Sequence, residues 1–369
     1  MSGKTNIIWV IVDQMRGQAM GCNGDPNVHT PNLDQMASYG VNYRNAVGGF
    51  PLCCPYRGAL LSGVYPHKCV PGHEYQMSPE LPTIADVFNE NGYDTAYFGK
   101  WHVDGWHERE GRAAWHVVPP ERRGRFNTWL GYDNNNSQWD SYVHGHDEDG
   151  NEYAPYRLPG FETDCLTDML LDYLKVKSEK KENFFAVLSV QPPHDPYTAP
   201  AEYMRRYSPA RLQLRPNVPN IPYVLDTARN ELAGYYALIE NIDANVGRLV
   251  EALHELDLDE DTQVLFFSDH GDMHGSHGHH RKTSPYEESI RVPFLIFGGR
   301  SRYNGKVGLN PAPLNHVDVG PTSLGLCGIE APDWMEGFDY SGTRLNTKDC
   351  VNPPDSAYIQ SVIPTGHGN

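Results

Sequence analysis

The sequence has no apolar run long enough to cross a membrane. The one at residues 7–12 falls far short of the roughly 20 residues a helical span needs. It has no basic excess either: 30 Lys and Arg stand against 47 Asp and Glu, for a formal net charge of −17. That balance excludes a general nucleic-acid binder, whose surface must be basic, and no nucleic-acid or membrane partner is expected. Cysteine is sparse and irregular, with seven scattered residues, which excludes a regular disulfide framework. No charged n-region followed by a long apolar segment is present. Both features point to a reducing cytoplasm for the chain as written, and to the periplasm or secretion if a leader has been removed. There are no internal repeats.

What is present is core. With 369 residues, 39% of them hydrophobic, and 22 tyrosines, the chain can build one large α/β domain, or a large one with a small companion. Largely apolar runs at 7–12, 184–190, 262–267 and 292–297, with a further strand at 93–98, predict a mostly parallel sheet with central strands buried on both faces. Helical spacing is found at 31–39, 81–90, 162–177, 231–256 and 316–326, the last beginning near Asp318, and a short strand is expected at 356–362. Ligands of open α/β sheets bind beyond the carboxyl ends of the strands. There the runs deliver Asp13 with Gln14, Lys100 with His102, His194, and Asp269 with His270. Lys282 closes the histidine-rich stretch that follows.

Periodicity fades between residues 101 and 160, where five of the seven tryptophans lie: Trp101, Trp106, Trp115, Trp129 and Trp139. This reads as a long insertion, and long insertions in compact domains are usually functional. Most of these rings are expected to pack the insertion together. One or two could form a platform for a sugar, flanked by Asn134, Asn135, Asn136 and Gln138.

The stretch 50–63 concentrates the chemistry. It sets a thiol at Cys53, proline two residues on at Pro55, and a permanent cation at Arg57. A helix starting at Pro55 and stopped by Gly63 would leave Cys53 at its N-terminal end, where orphan N–H groups and the helix dipole favour anions. Taken jointly, Asp13, Gln14, Asp269 and His270 offer two carboxylates, an amide and an imidazole. That set suits one divalent cation, Ca²⁺ first with Mn²⁺ or Mg²⁺ possible, better than a structural zinc.

Cys53-x-Pro55-x-Arg57 followed by Leu61-Ser62-Gly63 resembles the signature of the type I sulfatases of the alkaline phosphatase superfamily. Gly99-Lys100-Trp101-His102, the Pro-His-x-Pro-Tyr element at His194, and the histidine-rich loop after Asp269 resemble further elements of that family. Tyr56 and Ser62 depart from its commonest residues. The resemblance covers residues 5–300 well. It implies an alkaline phosphatase-like mixed, mostly parallel sheet sandwiched by helices. Residues 1–345 would form the catalytic domain, and 346–369 the start of a C-terminal antiparallel subdomain that is largely absent.

By the same resemblance Cys53 is converted to formylglycine, whose hydrate is the nucleophile and completes the metal shell. The agent would be a formylglycine-generating or anaerobic sulfatase-maturing enzyme. Arg57 and the metal then stabilise the alkoxide. Lys100, Lys282 and His194 take the sulfate-binding and leaving-group positions, with His194 or Lys282 as proton donor. His102 helps the second hydroxyl lose its proton. The implied reaction is hydrolysis of a sulfate monoester, the expected substrates being short sulfated sugars because an acidic surface repels long polyanions. The alternatives are a phosphonate monoester or phosphodiester hydrolase of the same superfamily and, behind it, a non-catalytic metal- and anion-binding protein.

Overall fold

The computed structural model describes residues 4–107, 112–298 and 305–360. Its centre is a ten-stranded sheet: β1 (Asn6–Asp13), β2 (Val41–Tyr43), β3 (Asp94–Lys100), β4 (Thr128–Tyr132), β5 (Tyr142–His146), β6 (Glu152–Arg157), β7 (Phe184–Pro193), β8 (Thr262–Ser268), β9 (Phe294–Phe297) and β10 (Gly308–Asn310). The spatial order is β10-β2-β9-β8-β1-β7-β3-β4-β5-β6. Strands β8, β1, β7, β3 and β4 run parallel, while β9 on one flank and β5 and β6 on the other pair antiparallel.

Strand β1 shows why its apolar run does not alternate. Ile8, Val10 and Val12 join a core cluster with Leu33, Leu166, Leu170 and Ile239 from the helices Pro31–Tyr39, Glu162–Lys180 and Pro222–Glu255. Ile7, Trp9 and Ile11 point the other way. They pack with Leu60, Ile84, Phe88 and Leu324 from Cys53–Ser62, Ile84–Glu90 and Val319–Leu326. Successive side chains of a strand face opposite sides, so a strand covered on both faces must be apolar throughout. The fold is the mixed, mostly parallel sheet between helical layers that the sequence implies.

Parallel pairing brings the functional strand ends together. Val12 is level with Ser268 on one side and Val190 on the other, and Gly99 lies level with Ser189. Asp13, Lys100, His194 and Asp269 therefore emerge at one edge. Gly99 is required where it stands: its φ is 106°, and a Cβ there would lie 2.1 Å from the Ser189 carbonyl oxygen. Any larger residue would push β3 away from β7 and carry Lys100 with it.

Three expectations are corrected. Residues 101–160, read as an insertion, supply β4, β5 and β6 to the main sheet. The long helix starts at Pro222, about two turns before the expected residue 231. Its first turns bury only Val224 and Ala228 and leave Tyr223 75% exposed, so they lack the broad apolar stripe of the later turns. Residues 356–360 form no strand, and 361–362 lie outside the described residues. A lone extended segment forms no ladder without a partner strand, and here the Gln360 N–H donates to the Gly49 carbonyl instead. Among the described residues, no helix is long and apolar enough to cross a membrane.

Candidate active site

The helix Cys53–Ser62 is buried along its whole length and begins two residues before the expected Pro55. Leu52 is its extended N-cap, and Pro55 falls in the first turn, where its missing N–H costs no intrahelical bond. Gly63 ends it in the left-handed conformation, φ 74°, and donates to the Ala59 carbonyl. Cys53 is thus the first helical residue, at the positive end of the dipole.

The Cys53 sulfur lies 3.1 Å from His270 Nε2, 3.3 Å from Lys282 Nζ and 3.5 Å from Asp13 Oδ1. Ligand atoms of Asp13, Cys53, Asp269 and His270 all fall within 4.8 Å of one another, and all four residues are buried. The ring of His270 is oriented by its Nδ1, 3.0 Å from the Gly271 carbonyl, which leaves Nε2 facing the cluster. Asp269 Oδ1 accepts from the backbone N–H groups of Gln14 at 3.0 Å and His270 at 2.9 Å. Its Oδ2 is buried with no hydrogen-bond partner, which in a native core calls for an explanation. Two carboxylates, an imidazole nitrogen and position 53 around one point fit a divalent cation of hard or intermediate character.

Gln14 stands beside this group with its side-chain oxygen turned to Lys282 Nζ, 3.0 Å away. Its Nε2 donates to Asp272 Oδ2 at 2.7 Å, and Asp272 also accepts from the Tyr197 hydroxyl at 2.6 Å. Lys282 is further held 2.9 Å from His194 Nε2, and His194 Nδ1 sits 2.8 Å from the Asp195 carbonyl. Lys100 Nζ donates to Asp13 Oδ2 at 2.7 Å. Arg57 reaches the same carboxylate at 3.4 Å and Asp269 at 3.6 Å, and is clamped by Ser189 Oγ at 2.7 Å and the Lys100 carbonyl at 3.0 Å. Ser189 and Asp272 carry no role in the sequence reading, and Tyr197 enters it only as the last residue of the element at His194. Asp272 had a visible signal, an acid three residues after Asp269 in the same loop; a serine inside a strand had none.

Electrostatics follow from this packing. Burial pushes the Cys53 thiol up to about 12, with Asp13 adding to the rise and Lys282 and Lys100 opposing it. Burial would raise Asp13 too, but Lys100, His194, Lys282 and His270 outweigh it and hold the carboxyl well below its usual range. Burial and then the charge of Lys282 bring His194 down to about 3. Burial and then Lys100 hold His102 well below the usual histidine range. Both imidazoles are therefore neutral beside two lysines.

A cavity of about 870 Å³ opens over Cys53, lined by Gln14, Lys100, His102, His194 and Lys282 and also by Asn134, Asn136, Arg281 and Tyr286. The tryptophans pack the segment as expected for most of them, and none of the five lines the cavity as a platform. Trp101 and Trp129 are fully buried against Tyr97 and each other, Trp106 stacks on His116, and the exposed Trp115 and Trp139 do not line the cavity. Of the flanking amides, Asn134 and Asn136 do reach it. Asn135 is used inside its own loop, donating to Ser141 and Ser137, and Gln138 Nε2 donates to the His194 carbonyl.

His316 supports the floor of the site from behind. Its Nδ1 accepts from the Gly49 N–H at 2.9 Å, its ring packs on Tyr56, and burial lowers it to about 3. The unfolded chain takes up a proton near pH 6.5, the folded one only near 3, so between those values the unfolded state binds more protons. Stability from this residue is present above pH 6.5 and lost as pH falls, by about 1.4 kcal/mol per pH unit. Denaturant unfolding of wild type and His316→Gln is expected to show their stability difference shrinking at that rate between pH 6 and pH 4. A pH-independent difference would refute the assignment.

The family model for Sulfatase matches residues 5–329. The chain belongs to the sulfatase family. This sulfatase is 38% identical to the ulvan-active sulfatase of Formosa agariphila, over 99% of its own length and 69% of the relative's. It is 33% identical to the endo-4-O-sulfatase of Bacteroides thetaiotaomicron, over 97% of its length and 76% of the relative's. A solved structure from the glycosaminoglycan-metabolism locus of Bacteroides thetaiotaomicron superimposes with a TM-score of 0.83 at 30% identity. It covers 95% of this chain and 79% of that one. The protein is accordingly a sulfuric ester hydrolase.

Proposed function

We propose that this sulfatase removes sulfate from a carbohydrate monoester, using formylglycine made from Cys53 by a maturing enzyme and one divalent cation, Ca²⁺ first. The observation that carries the reading is the position of Cys53: a helix N-terminus at the bottom of the cavity, within 3.5 Å of an imidazole, an ammonium and a carboxylate. Asp13, Asp269, His270 and position 53, with Gln14 beside them, would hold the cation. When bound, it supplies charge stabilisation at the nucleophile, and formylglycine supplies the nucleophile as an aldehyde hydrate.

The chain's own residues do the rest. A sulfate ester resists attack until its oxygens are neutralised, and the buried Lys100 and half-buried Lys282 are cations already aimed at that place. Arg57 cannot wander, because Ser189 and the Lys100 carbonyl fix its guanidinium between Asp13 and Asp269. Lys282 Nζ and His194 Nε2 share a hydrogen bond at 2.9 Å, so one of that pair hands a proton to the departing alcohol while the other holds its place. His102, neutral in its burial, receives a proton when sulfate leaves. Asn134 and Asn136 supply amides for sugar hydroxyls. The names of the ulvan-active and endo-4-O relatives favour a carbohydrate, and the net charge of −17 favours a short sulfated chain over a highly sulfated polymer.

The test is kcat/KM on matched sulfate monoesters, phosphonate monoesters and phosphodiesters, each with sugar and aryl leaving groups. Sulfated sugars are expected to lead. A clear preference for phosphonate esters would overturn the reading in favour of a phosphonate hydrolase.

A further inference from the structure

A second group of ligand-type side chains lies beside the carboxylate-rich cluster and shares none of its ligands. Cys54, the residue after Cys53, points away from the metal group and faces His73, with its sulfur 3.5 Å from His73 Nδ1. The His73 and His102 rings meet edge to face with centroids 5.7 Å apart. One ligand atom from each of Cys54, His73 and His102 lies within 4.8 Å of the other two. His102 Nδ1 is buried with no hydrogen-bond partner, and His102 itself is only 5% exposed. A buried ring nitrogen left without a partner beside a thiol and a second imidazole marks a place where a ligand is wanted.

We infer that Cys54, His73 and His102 form a binding site for a thiophilic divalent ion such as Zn²⁺, and that filling it inhibits the enzyme. The donor set is one thiolate and two imidazoles, which selects zinc-like ions over Ca²⁺ or Mg²⁺. Tetrahedral zinc with its usual Zn–S and Zn–N lengths separates sulfur and nitrogen by about 3.6 Å, close to the Cys54–His73 spacing. Three protein ligands leave a fourth position for water from the cavity, whose wall includes His73 and His102. On binding, Cys54 releases its proton to solvent and coordinates as thiolate; no electron transfer is involved. The inhibitory half rests on the proposed role of His102, because a metal-bound imidazole no longer accepts a proton.

The experiment uses Co²⁺ as a coloured substitute for Zn²⁺, in excess Ca²⁺ so that the carboxylate-rich site is not the one reported. Wild type is expected to show near-ultraviolet thiolate-to-cobalt absorption, displaced by Zn²⁺. Cys53→Ser should keep the band and Cys54→Ser should lose it. His73→Gln, on a partly exposed loop, should weaken Co²⁺ binding by about tenfold or more. In parallel, the Zn²⁺ concentration that halves sulfate-ester turnover should rise by about tenfold or more in Cys54→Ser and His73→Gln. A band that survives Cys54→Ser, or disappears only with Cys53→Ser, overturns the site. Zinc bound at Cys54 with turnover unchanged overturns the inhibition and the role given to His102, while the sulfate-ester reading itself is judged by the substrate panel.

Discussion

Cys53→Ala is expected to lower turnover of a sulfate monoester by about 10⁴-fold or more, and Cys54→Ala to leave it within a few-fold of wild type. The two cysteines are adjacent and both buried, so burial does not distinguish them; direction does. Cys53 faces Asp13, His270 and Lys282 under the cavity, whereas Cys54 packs in the apolar cluster with Tyr56 and Leu60 and has its sulfur beside His73. Removing Cys53 takes away the precursor of the nucleophile and leaves the cations with nothing to activate. The small change in volume at one end of a buried helix should cost little structure, which a melting curve checks. Comparable loss of turnover from both variants would contradict the assignment.

The second large effect is expected at Asp269. Its Oδ1 accepts two backbone N–H groups, and its Oδ2 lies 3.6 Å from Arg57 Nε but accepts no hydrogen bond. Asp269→Ala reduces the anionic ligands to Asp13, which is already shared by Lys100 and Arg57. One carboxylate so occupied cannot hold a hard cation against water. Metal content after dialysis should therefore fall from near one ion per chain to a small fraction, with turnover falling about 10³-fold or more. Asp269→Asn, which keeps the size and one oxygen, should retain more metal than Asp269→Ala. Full occupancy with normal turnover in Asp269→Ala would remove the site.

Much of this was legible because buried parallel strands leave an unmistakable trace. The runs ending at Asp13, Ser268 and Pro193 are apolar on both faces, and the residues just past them are where an open sheet puts its chemistry. Strands β4 to β6 left no such trace. Gly145 and His146 interrupt β5, and β6 is exposed at every position, so neither alternation nor a continuous run could form. Which tryptophans pack and which could face a ligand was not legible either. Composition alone does not tell a ring packed against Tyr97, as Trp101 and Trp129 are, from one facing a ligand. Gln14 was readable as a polar residue at a strand end, but its orientation depends on Asp272 and Tyr197, which approach from other segments. Such contacts between distant loops exist only once the chain is folded.

The measurement that bears most directly on the account is the mass of the tryptic peptide containing position 53, taken from protein that is hydrolysing sulfate esters. Conversion of the Cys53 side chain to an aldehyde lowers the peptide mass by about 18 Da, and the converted fraction should rise in proportion to specific activity across preparations. Fully active protein carrying an unmodified Cys53 thiol would contradict it.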